Sequence, residues 1–285
     1  MVTWEDQSGH GRRAVRRPAV AGMFYPGDRY RLEHEVDRML AAGPPAHAGG
    51  RVVALVEPHA GYPYSGQVAA AGYRELDPEQ VARVFLVGPS HHAAFAGVAL
   101  WDGEAFRTPL GDVPIDRELV HALTHESGHI FVRNAVHEEE HALEVQLPFL
   151  QRQLSSFRLV PMVMGRQDMA TARELGRVLA RVAGTAPQSL LVASSDLSHY
   201  HAYDEAVALD REALRRIAAF DPDGLLAGLT SGHLEACGGG PIAAVLYAAR
   251  ILGGRAVHVL AYQNSGDVTG DRLQVVGYPA CAVTG

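Results

Sequence analysis

Histidines follow two apolar runs of the kind that form buried strands. His59 stands two residues after RVVALVE (51–57), and His91 and His92 come directly after VFLVGPS. In an open α/β sheet, ligands bind beyond the carboxyl ends of the strands. Imidazole is the commonest metal ligand in proteins and also exchanges protons near neutral pH. We therefore expect these histidines to lie together at a functional edge of a sheet.

Further donors follow a third strand and precede a helix. SLLVASSD (189–196) ends on Asp196, and His199 comes three residues later. Cys237 precedes a glycine-rich turn and a predicted helix, whose dipole is expected to lower the pKa of the thiol and favour thiolate. Thiolate is the form that binds metal or attacks an electrophile. Cys237 thus joins the histidines as a candidate ligand.

These residues are enough for a catalytic metal site. Two histidines and one anionic ligand, with open positions left over, are the minimum that such a site needs. The sequence predicts that His59, one histidine of the pair His91–His92 and Cys237 supply them. Consecutive side chains of an extended segment point to opposite sides, so the second histidine of the pair faces substrate or a neighbouring group. The spacing leaves open which of the two binds the ion.

His199 and Asp196 are candidate catalytic residues. A neutral imidazole suits general acid–base work because its ordinary pKa lies close to neutral pH. Asp196 is expected to orient that imidazole or to bind substrate, and the alternative is an aspartate that caps a loop or helix.

Two further pairs of residues are expected to line the pocket. A predicted helix at 141–154 places His141 and Glu144 one turn apart, where they would form a wall of the site or support its ligands. The alternative is an acidic first turn that complements the helix dipole. Tyr62 and Tyr64 lie in a predicted loop and would donate hydrogen bonds to a bound molecule.

The elements that must position these residues alternate between strand and helix. Apolar runs predict strands at 51–57, 82–88, 97–102, 157–165, 189–196, 256–264 and 273–283. Helical patterns lie near 67–76, 116–125, 141–154, 168–183, 203–219, 222–230 and 240–252. Continuous rather than alternating apolar runs indicate strands covered on both faces. We therefore predict an α/β fold, a single-domain α/β/α sandwich with a mostly parallel or mixed central sheet.

Composition narrows the location and the partners. Residues 1–16 are predicted to form a flexible N-terminal tail with a solvated basic cluster at 12–17, and residues 17–285 a single domain. A formal net charge of −7 argues against nucleic acid or an anionic membrane as the partner. Two cysteines in 285 residues favour a reducing, cytoplasmic location. No apolar run approaches the ~20 residues of a membrane span.

Six blocks resemble the MEMO family, whose bacterial and archaeal members are called AmmeMemoRadiSam system protein B. In chain order they are RPAVAGMFYPGD, EPHAGYPYSGQVAAAGY, VFLVGPSHH, EHALEVQLPFL, SSDLSHY and CGGGPIAAVL. The resemblance runs from about Arg17 to the C-terminus. It implies a fold similar to that of the class III extradiol dioxygenases, in which two histidines and a glutamate hold Fe(II) and a further histidine acts as acid/base.

Carried over by position, the resemblance implies that His59 and His91 are ligands, that Cys237 falls where the glutamate would be, and that His199 is the acid/base. A thiolate shifts preference toward copper(I), zinc or thiolate-bound iron. The resemblance also implies bound iron or copper, binding of phosphotyrosine-containing peptides by eukaryotic members, and a functional link to AMMECR1-type and radical SAM proteins in prokaryotes.

Two functions follow as expectations. The first is a metal-dependent oxidoreductase, dioxygenase-like, that takes a small molecule or peptide in the cleft. The second is a non-catalytic module that uses the same cleft to bind a metal ion and a peptide or partner. An enzyme requires the acid/base histidine, His199, whereas a binding module tolerates its loss.

Overall fold

The computed structural model describes residues 14–43 and 49–285. Its strands are β1 (Val15–Arg16), β2 (Val52–Glu57), β3 (Arg83–Pro89), β4 (Val98–Leu100), β5 (Ala105–Thr108), β6 (Gly111–Pro114), β7 (Ile130–Val132), β8 (Arg158–Met164), β9 (Ser189–Ser194), β10 (His199–His201), β11 (Ala256–Asn264) and β12 (Val275–Thr284). Its α-helices are α1 (Arg29–Ala41), α2 (Tyr62–Tyr73), α3 (Arg117–Glu126), α4 (Leu147–Gln153), α5 (Met169–Thr185), α6 (Tyr203–Ala218), α7 (Pro222–Thr230), α8 (Gly239–Ile251) and α9 (Ser265–Thr269). Short 3₁₀ helices lie at Pro78–Gln80, Asn134–Val136 and Glu144–Gln146. Within these described ranges, no helix is both long and apolar enough to cross a membrane.

The main sheet is mixed, with a parallel centre. Its strands follow the order β10-β12-β2-β9-β3-β8-β4-β7, and β11 pairs with β12. The central strands β2, β9, β3 and β8 are parallel to one another. Towards the edges, β12 runs antiparallel to β2, and β4 runs antiparallel to β8. The carboxyl ends of β2, β9 and β3 therefore lie side by side at one edge of the sheet.

Helices cover both faces of this sheet. α2 packs against β2, β11 and β12, and it contacts α1 and α4. α8 packs against β2, β3 and β9, and α5 packs against α8. Every residue of β9, and all but the first residue of β2 and β3, is buried. The predicted single-domain α/β/α sandwich is confirmed, and its continuous apolar strands are buried because both faces are covered.

Some elements differ from their predicted form. α2 begins at Tyr62, earlier than the predicted start at 67, because Gly61 serves as its N-cap and Pro63 lies in its first turn. A proline is tolerated there because the first amides of a helix have no partner within it. No continuous helix spans 141–154, since a 3₁₀ turn precedes α4 and Pro148 lies in the first turn of α4. Short elements such as β1, β10 and α9 carry no long periodic pattern and were not predicted.

The first described strand corrects the predicted N-terminal tail. β1 pairs in parallel with β5, in a small sheet completed by β6. Arg16 is 2% exposed and pairs with the buried carboxylate of Glu144. Residues 15 and 16 are therefore part of the folded domain, and Arg16 is not a solvated residue of a basic cluster. Residues 1–13 of the predicted tail lie outside the described residues.

β2 ends on a buried carboxyl group. Glu57 is fully buried, and neither carboxyl oxygen has a hydrogen-bond partner in the described residues. Gly72 on α2 leaves room for it, since a Cβ at Gly72 would lie 1.6 Å from Oε1 of Glu57. Burial raises the pKa of Glu57 well above its usual value. The side chain is therefore a neutral acid at pH values where exposed carboxyl groups are ionised.

We expect Glu57 to reduce stability at alkaline pH. Because its pKa is raised in the folded state, its contribution is fully present below the unfolded pKa of about 4.3 and is lost as the pH rises through the folded-state pKa. Glu57→Gln cannot ionise, so its free energy of unfolding should rise relative to wild type between about pH 5 and pH 9. Denaturant unfolding across this range measures the difference.

The exposed Glu79 provides the control, since Glu79→Gln should follow the wild-type pH dependence. A constant difference between Glu57→Gln and wild type at every pH would contradict a neutral, buried Glu57.

Candidate metal centre

Three histidine rings meet at the carboxyl edge of the sheet. His59 follows β2, His91 follows β3, and His141 lies in the segment between β7 and α4. One ring nitrogen of each lies within 4.8 Å of those of the other two. The ring centroids of His59 and His91 are 5.1 Å apart, and those of His91 and His141 are 4.7 Å apart. The structure brings two predicted ligands together with His141, which was expected only to line the pocket or support the ligands.

A hydroxyl group fixes the tautomer of His59. Ser194, the last residue of β9, donates its hydroxyl proton to the carbonyl of Ala142 at 2.7 Å. The same oxygen accepts from Nε2 of Gln146 and lies 2.9 Å from Nδ1 of His59. Because the only proton of Ser194 is already donated, its oxygen must accept from His59, which therefore carries its proton on Nδ1. Nε2 of His59 therefore carries a lone pair and no proton.

A buried carboxylate orients His91 in the same way. Glu140 accepts from Nδ1 of His91 at 2.8 Å, from its backbone amide at 2.7 Å and from the amide of Ala142 at 2.9 Å. Burial alone would raise the pKa of Glu140, but the hydrogen bonds and charge of His91 outweigh it and lower the pKa to about 2. A carboxylate that holds the outer nitrogen of a histidine is a common support for metal ligands. Nε2 of His91 is thereby free to bind.

Two of the three rings are neutral at physiological pH. Burial, reinforced by neighbouring imidazoles, lowers the pKa of His59 and of His141 to about 3. Burial also lowers the pKa of His91, but the hydrogen bond and charge of Glu140 raise it overall. Metal ions bind the neutral imidazole, so His59 and His141 are ready to bind, whereas the raised pKa of His91 makes binding by this ring more dependent on pH.

Cys237 lies beside this cluster, just before α8. Its Sγ is 3.1 Å from Nε2 of His59 and accepts from the backbone amide of Asp196 at 3.3 Å. The predicted fall in the pKa of the thiol is wrong: burial raises the pKa, and the charge of Asp196 adds to the rise. A helix dipole supplies about 0.3–1 kcal/mol, less than the ~1.4 kcal/mol of one pKa unit, so burial outweighs it. Without a metal ion, the thiol and the His59 imidazole are therefore both neutral.

Asp196 and His199 lie at the same edge of the sheet, but Asp196 does not orient His199. Oδ1 of Asp196 accepts the backbone amide of His59 at 2.8 Å, as in the loop-capping alternative. Burial raises the pKa of Asp196 to about 6, although this hydrogen bond opposes the rise. Nδ1 of His199 donates to the carbonyl of Leu197 at 2.8 Å. Leu197 rather than Asp196 therefore orients the ring, and Nε2 of His199 remains available for proton transfer.

An open cleft of about 590 Å³ adjoins the cluster. It is lined by three of the predicted site residues and by apolar side chains, among them His91, His199, Cys237, Leu197, Leu229 and Leu234. His92 is exposed and is not among the lining residues, and its ring centroid lies 6.3 Å from that of His141. The adjacent pair is therefore divided, with only His91 on the cleft.

The two tyrosines of the predicted pocket lie on α2 instead of in a loop. Tyr62 is 3% exposed, and its hydroxyl donates to the carbonyl of Val145 at 2.7 Å, so it belongs to the core. Tyr64 is exposed, and it is not among the residues that line the cleft. Neither side chain lines the cleft, because α2 starts at Tyr62 and its helical turn sends the two side chains in different directions.

Glu144 also lies away from the pocket. It is fully buried, pairs with Arg16, and accepts from the hydroxyl of Tyr25 at 2.5 Å and from the backbone amides at 19–20, at 2.7 and 3.1 Å. The predicted shared face with His141 does not form, because the chain makes a turn and a 3₁₀ helix there instead of an α-helix. Glu144 therefore anchors the N-terminal segment.

Arg16 braces the loop that supplies two site residues. Its Nε donates to the carbonyl of His137 at 2.9 Å, and Nη2 donates to the carbonyl of Glu140 at 2.7 Å. The guanidinium also lies over the ring of Phe106, 5.2 Å from its centroid. The carboxylate that orients His91 is thus attached, through its own backbone, to the first described strand.

Sequence reasoning missed Glu140 and Ser194. Glu140 ends an acidic run, which is typical of an exposed helical turn. Ser194 lies in an apolar run, which predicts only a buried strand. The available signal was a polar residue inside a continuous apolar run, since buried hydroxyl groups need hydrogen-bond partners.

The family model described as Memo-like protein matches residues 16–282. The chain belongs to this family. MEMO1 family proteins from Methanothermobacter thermautotrophicus and Methanopyrus kandleri are each 40% identical to it, over 93% of this chain and over 98% and 97% of theirs. A third, from Aeropyrum pernix, is 39% identical over 94% of this chain and 99% of its own. The resemblance found in the sequence is confirmed.

One solved structure, of an uncharacterized protein from Escherichia coli K12, is similar at 15% sequence identity. It covers 80% of this chain and 99% of its own, with a TM-score of 0.48. This likeness is too distant to support any statement about the Memo-like chain.

In this Memo-like protein, we expect Glu140→Gln to lower the pKa of His91. The glutamine keeps a hydrogen-bond acceptor but removes the charge that raises the pKa, so burial then dominates. An NMR titration of the His91 ring measures the change. Glu139→Gln, at the exposed neighbouring position, is the matched control and should leave the titration unaltered. If Glu140→Gln gives the same His91 pKa as wild type, the orienting role of Glu140 is wrong.

Proposed function

We propose that this Memo-like protein binds one transition-metal ion between His59, His91 and His141, with Cys237 as a further ligand. The observation that carries the proposal is the pair of Nδ1 hydrogen bonds, from His59 to Ser194 and from His91 to Glu140. They leave Nε2 of both rings as the nitrogen that would bind an ion beside His141, and one ring nitrogen of each of the three histidines lies within 4.8 Å of the others.

The donor set favours iron or copper, with zinc as a further candidate. Imidazole nitrogens suit iron, copper and zinc, and a thiolate shifts preference toward copper(I), zinc or thiolate-bound iron. Binding would displace the thiol proton of Cys237, whose Sγ lies 3.1 Å from Nε2 of His59. When bound, iron or copper would supply one-electron chemistry and a Lewis acid at its open positions.

The function that this geometry supports best is a metal-dependent oxidoreductase. The cleft beside the cluster has room for a small molecule, and His91, His199 and Cys237 all line it. Nε2 of His199 would exchange protons with a molecule bound there, because Nδ1 already donates to Leu197. Asp196 would act at a distance, since its carboxylate fixes the backbone that carries His59.

A cysteine nucleophile without a metal is a weaker interpretation. Reactive cysteines have a lowered thiol pKa, whereas burial raises the pKa of Cys237. His59 would have to take up the thiol proton, but burial lowers its pKa to about 3. Both groups favour a neutral pair over thiolate and imidazolium, which removes the nucleophile.

The non-catalytic alternative uses the same cleft to bind a peptide or partner. The two functions differ in their need for His199. In His199→Ala, a binding module keeps its affinity for the partner, whereas an enzyme loses turnover. The cytoplasmic location and the functional link to AMMECR1-type and radical SAM proteins stay predictions.

Metal analysis of anaerobically purified protein tests the proposal. We expect about one equivalent of iron or copper in wild type, and an affinity loss of at least about tenfold in His59→Ala and His91→Ala. His92→Ala is the matched control, because it removes an adjacent imidazole that lies outside the cleft, and it should retain the metal. Wild-type protein that takes up no iron, copper or zinc, even after reconstitution, would overturn the proposal.

His141→Ala and Cys237→Ala then define the ligand set. Loss of metal in both variants is the expected result. Retention in one of them assigns the ion to the other residue together with His59 and His91.

A further inference from the structure

Tyr200 has a conformation that its own fold does not explain. It is the middle residue of β10, its φ is 63°, and its side chain is 70% exposed. The register of β10 against β12 shifts between His199 and His201, on either side of it. Bulky residues avoid the left-handed region, and such shifts commonly redirect a side chain next to a functional site.

The other strained residues of the described chain gain contacts in return. Gln188, with φ 56°, donates from Nε2 to the carbonyl of Glu79 at 2.6 Å. Phe220, also with φ 56°, is half-buried and carries the guanidinium of Arg250 at 4.8 Å from its ring centroid. The ring of Tyr200 lies at the edge of the His199 ring, with 5.8 Å between the centroids, and its side chain is 70% exposed.

The exposed ring of Tyr200 lies on the cleft beside the metal centre. Tyr200 lines the cleft together with His199 and the apolar side chains of Leu229 and Leu234. An exposed aromatic ring beside apolar walls offers a stacking surface for another flat ring. Strained residues of this kind cluster at ligand sites, where the surrounding structure holds them in place.

We infer that Tyr200 determines the specificity of the cleft, and that the cleft takes a small molecule with a flat ring that stacks on Tyr200. This inference rests on the proposed function, because it names the substrate class of the same site. It adds that the ring is recognised by stacking.

Two neutral probes test the ligand class on wild-type protein. Benzyl alcohol offers a flat ring, and cyclohexylmethanol offers a saturated ring of similar size. Titrations followed by the backbone amide NMR signals of residues 197–200 and 234–237 give each affinity. We expect saturable binding of benzyl alcohol, and binding at least about fivefold weaker for cyclohexylmethanol.

Variants at Tyr200 and at Gln188 test whether the ring of Tyr200 binds the ligand. Tyr200→Gly should weaken benzyl alcohol binding at least about fivefold while the denaturation midpoint stays level or rises, since glycine relieves the strain. Tyr200→Phe should keep the affinity within about twofold, because the ring is retained. Gln188→Gly is the matched control, with the same relief of φ far from the cleft, and should bind as wild type does.

The inference is overturned if Tyr200→Gly binds benzyl alcohol as tightly as wild type. It is also overturned if cyclohexylmethanol binds as tightly as benzyl alcohol, or if benzyl alcohol gives no saturable shift. Metal content is measured on the same samples and should not change in Tyr200→Gly. Ring binding in a protein that takes up no metal would sink the proposed function and leave this inference standing.

Discussion

The position of two protons is the constraint on which this site depends. The hydroxyl of Ser194 is committed to a backbone carbonyl, so it holds the proton of His59 on Nδ1, and the carboxylate of Glu140 holds that of His91 on Nδ1. Both imidazoles therefore present Nε2 to the same space. If either proton moved to Nε2, that nitrogen would be a hydrogen-bond donor and could not bind an ion.

The rest of the fold keeps these two acceptors in place. Three adjacent strands end at one edge, so β2 and β3 deliver the histidines and β9 delivers Ser194 between them. Glu140 lies outside the sheet and depends on Arg16, whose guanidinium holds the surrounding loop through buried hydrogen bonds. Removal of one partner from a buried ion pair of this kind typically costs about 3–5 kcal/mol. The first described strand, far away in sequence, is thus part of the support of the site.

The sequence was informative wherever one physical signal dominated. Continuous apolar runs identified the central strands, and the rule that ligands bind at strand ends selected His59, His91 and His199. It failed where two effects competed. The thiol pKa of Cys237 depends on burial more than on the helix dipole, and burial is a property of the tertiary structure. The prediction that His141 and Glu144 share a face assumed an α-helix, but the chain forms a turn and a 3₁₀ helix there. Glu140, Ser194 and Arg16 owe their roles to contacts across the fold, which no local pattern contains.

Long-range ¹H–¹⁵N NMR of the histidine rings in metal-free protein tests the central claim most directly, with the His59 signals assigned by their loss in His59→Ala. Because burial lowers the pKa of His59 to about 3, its ring should be neutral across about pH 6–8. The account predicts a protonated Nδ1 and an unprotonated Nε2 for His59 throughout that range. A proton on Nε2, or a charged His59 ring at neutral pH, would contradict it.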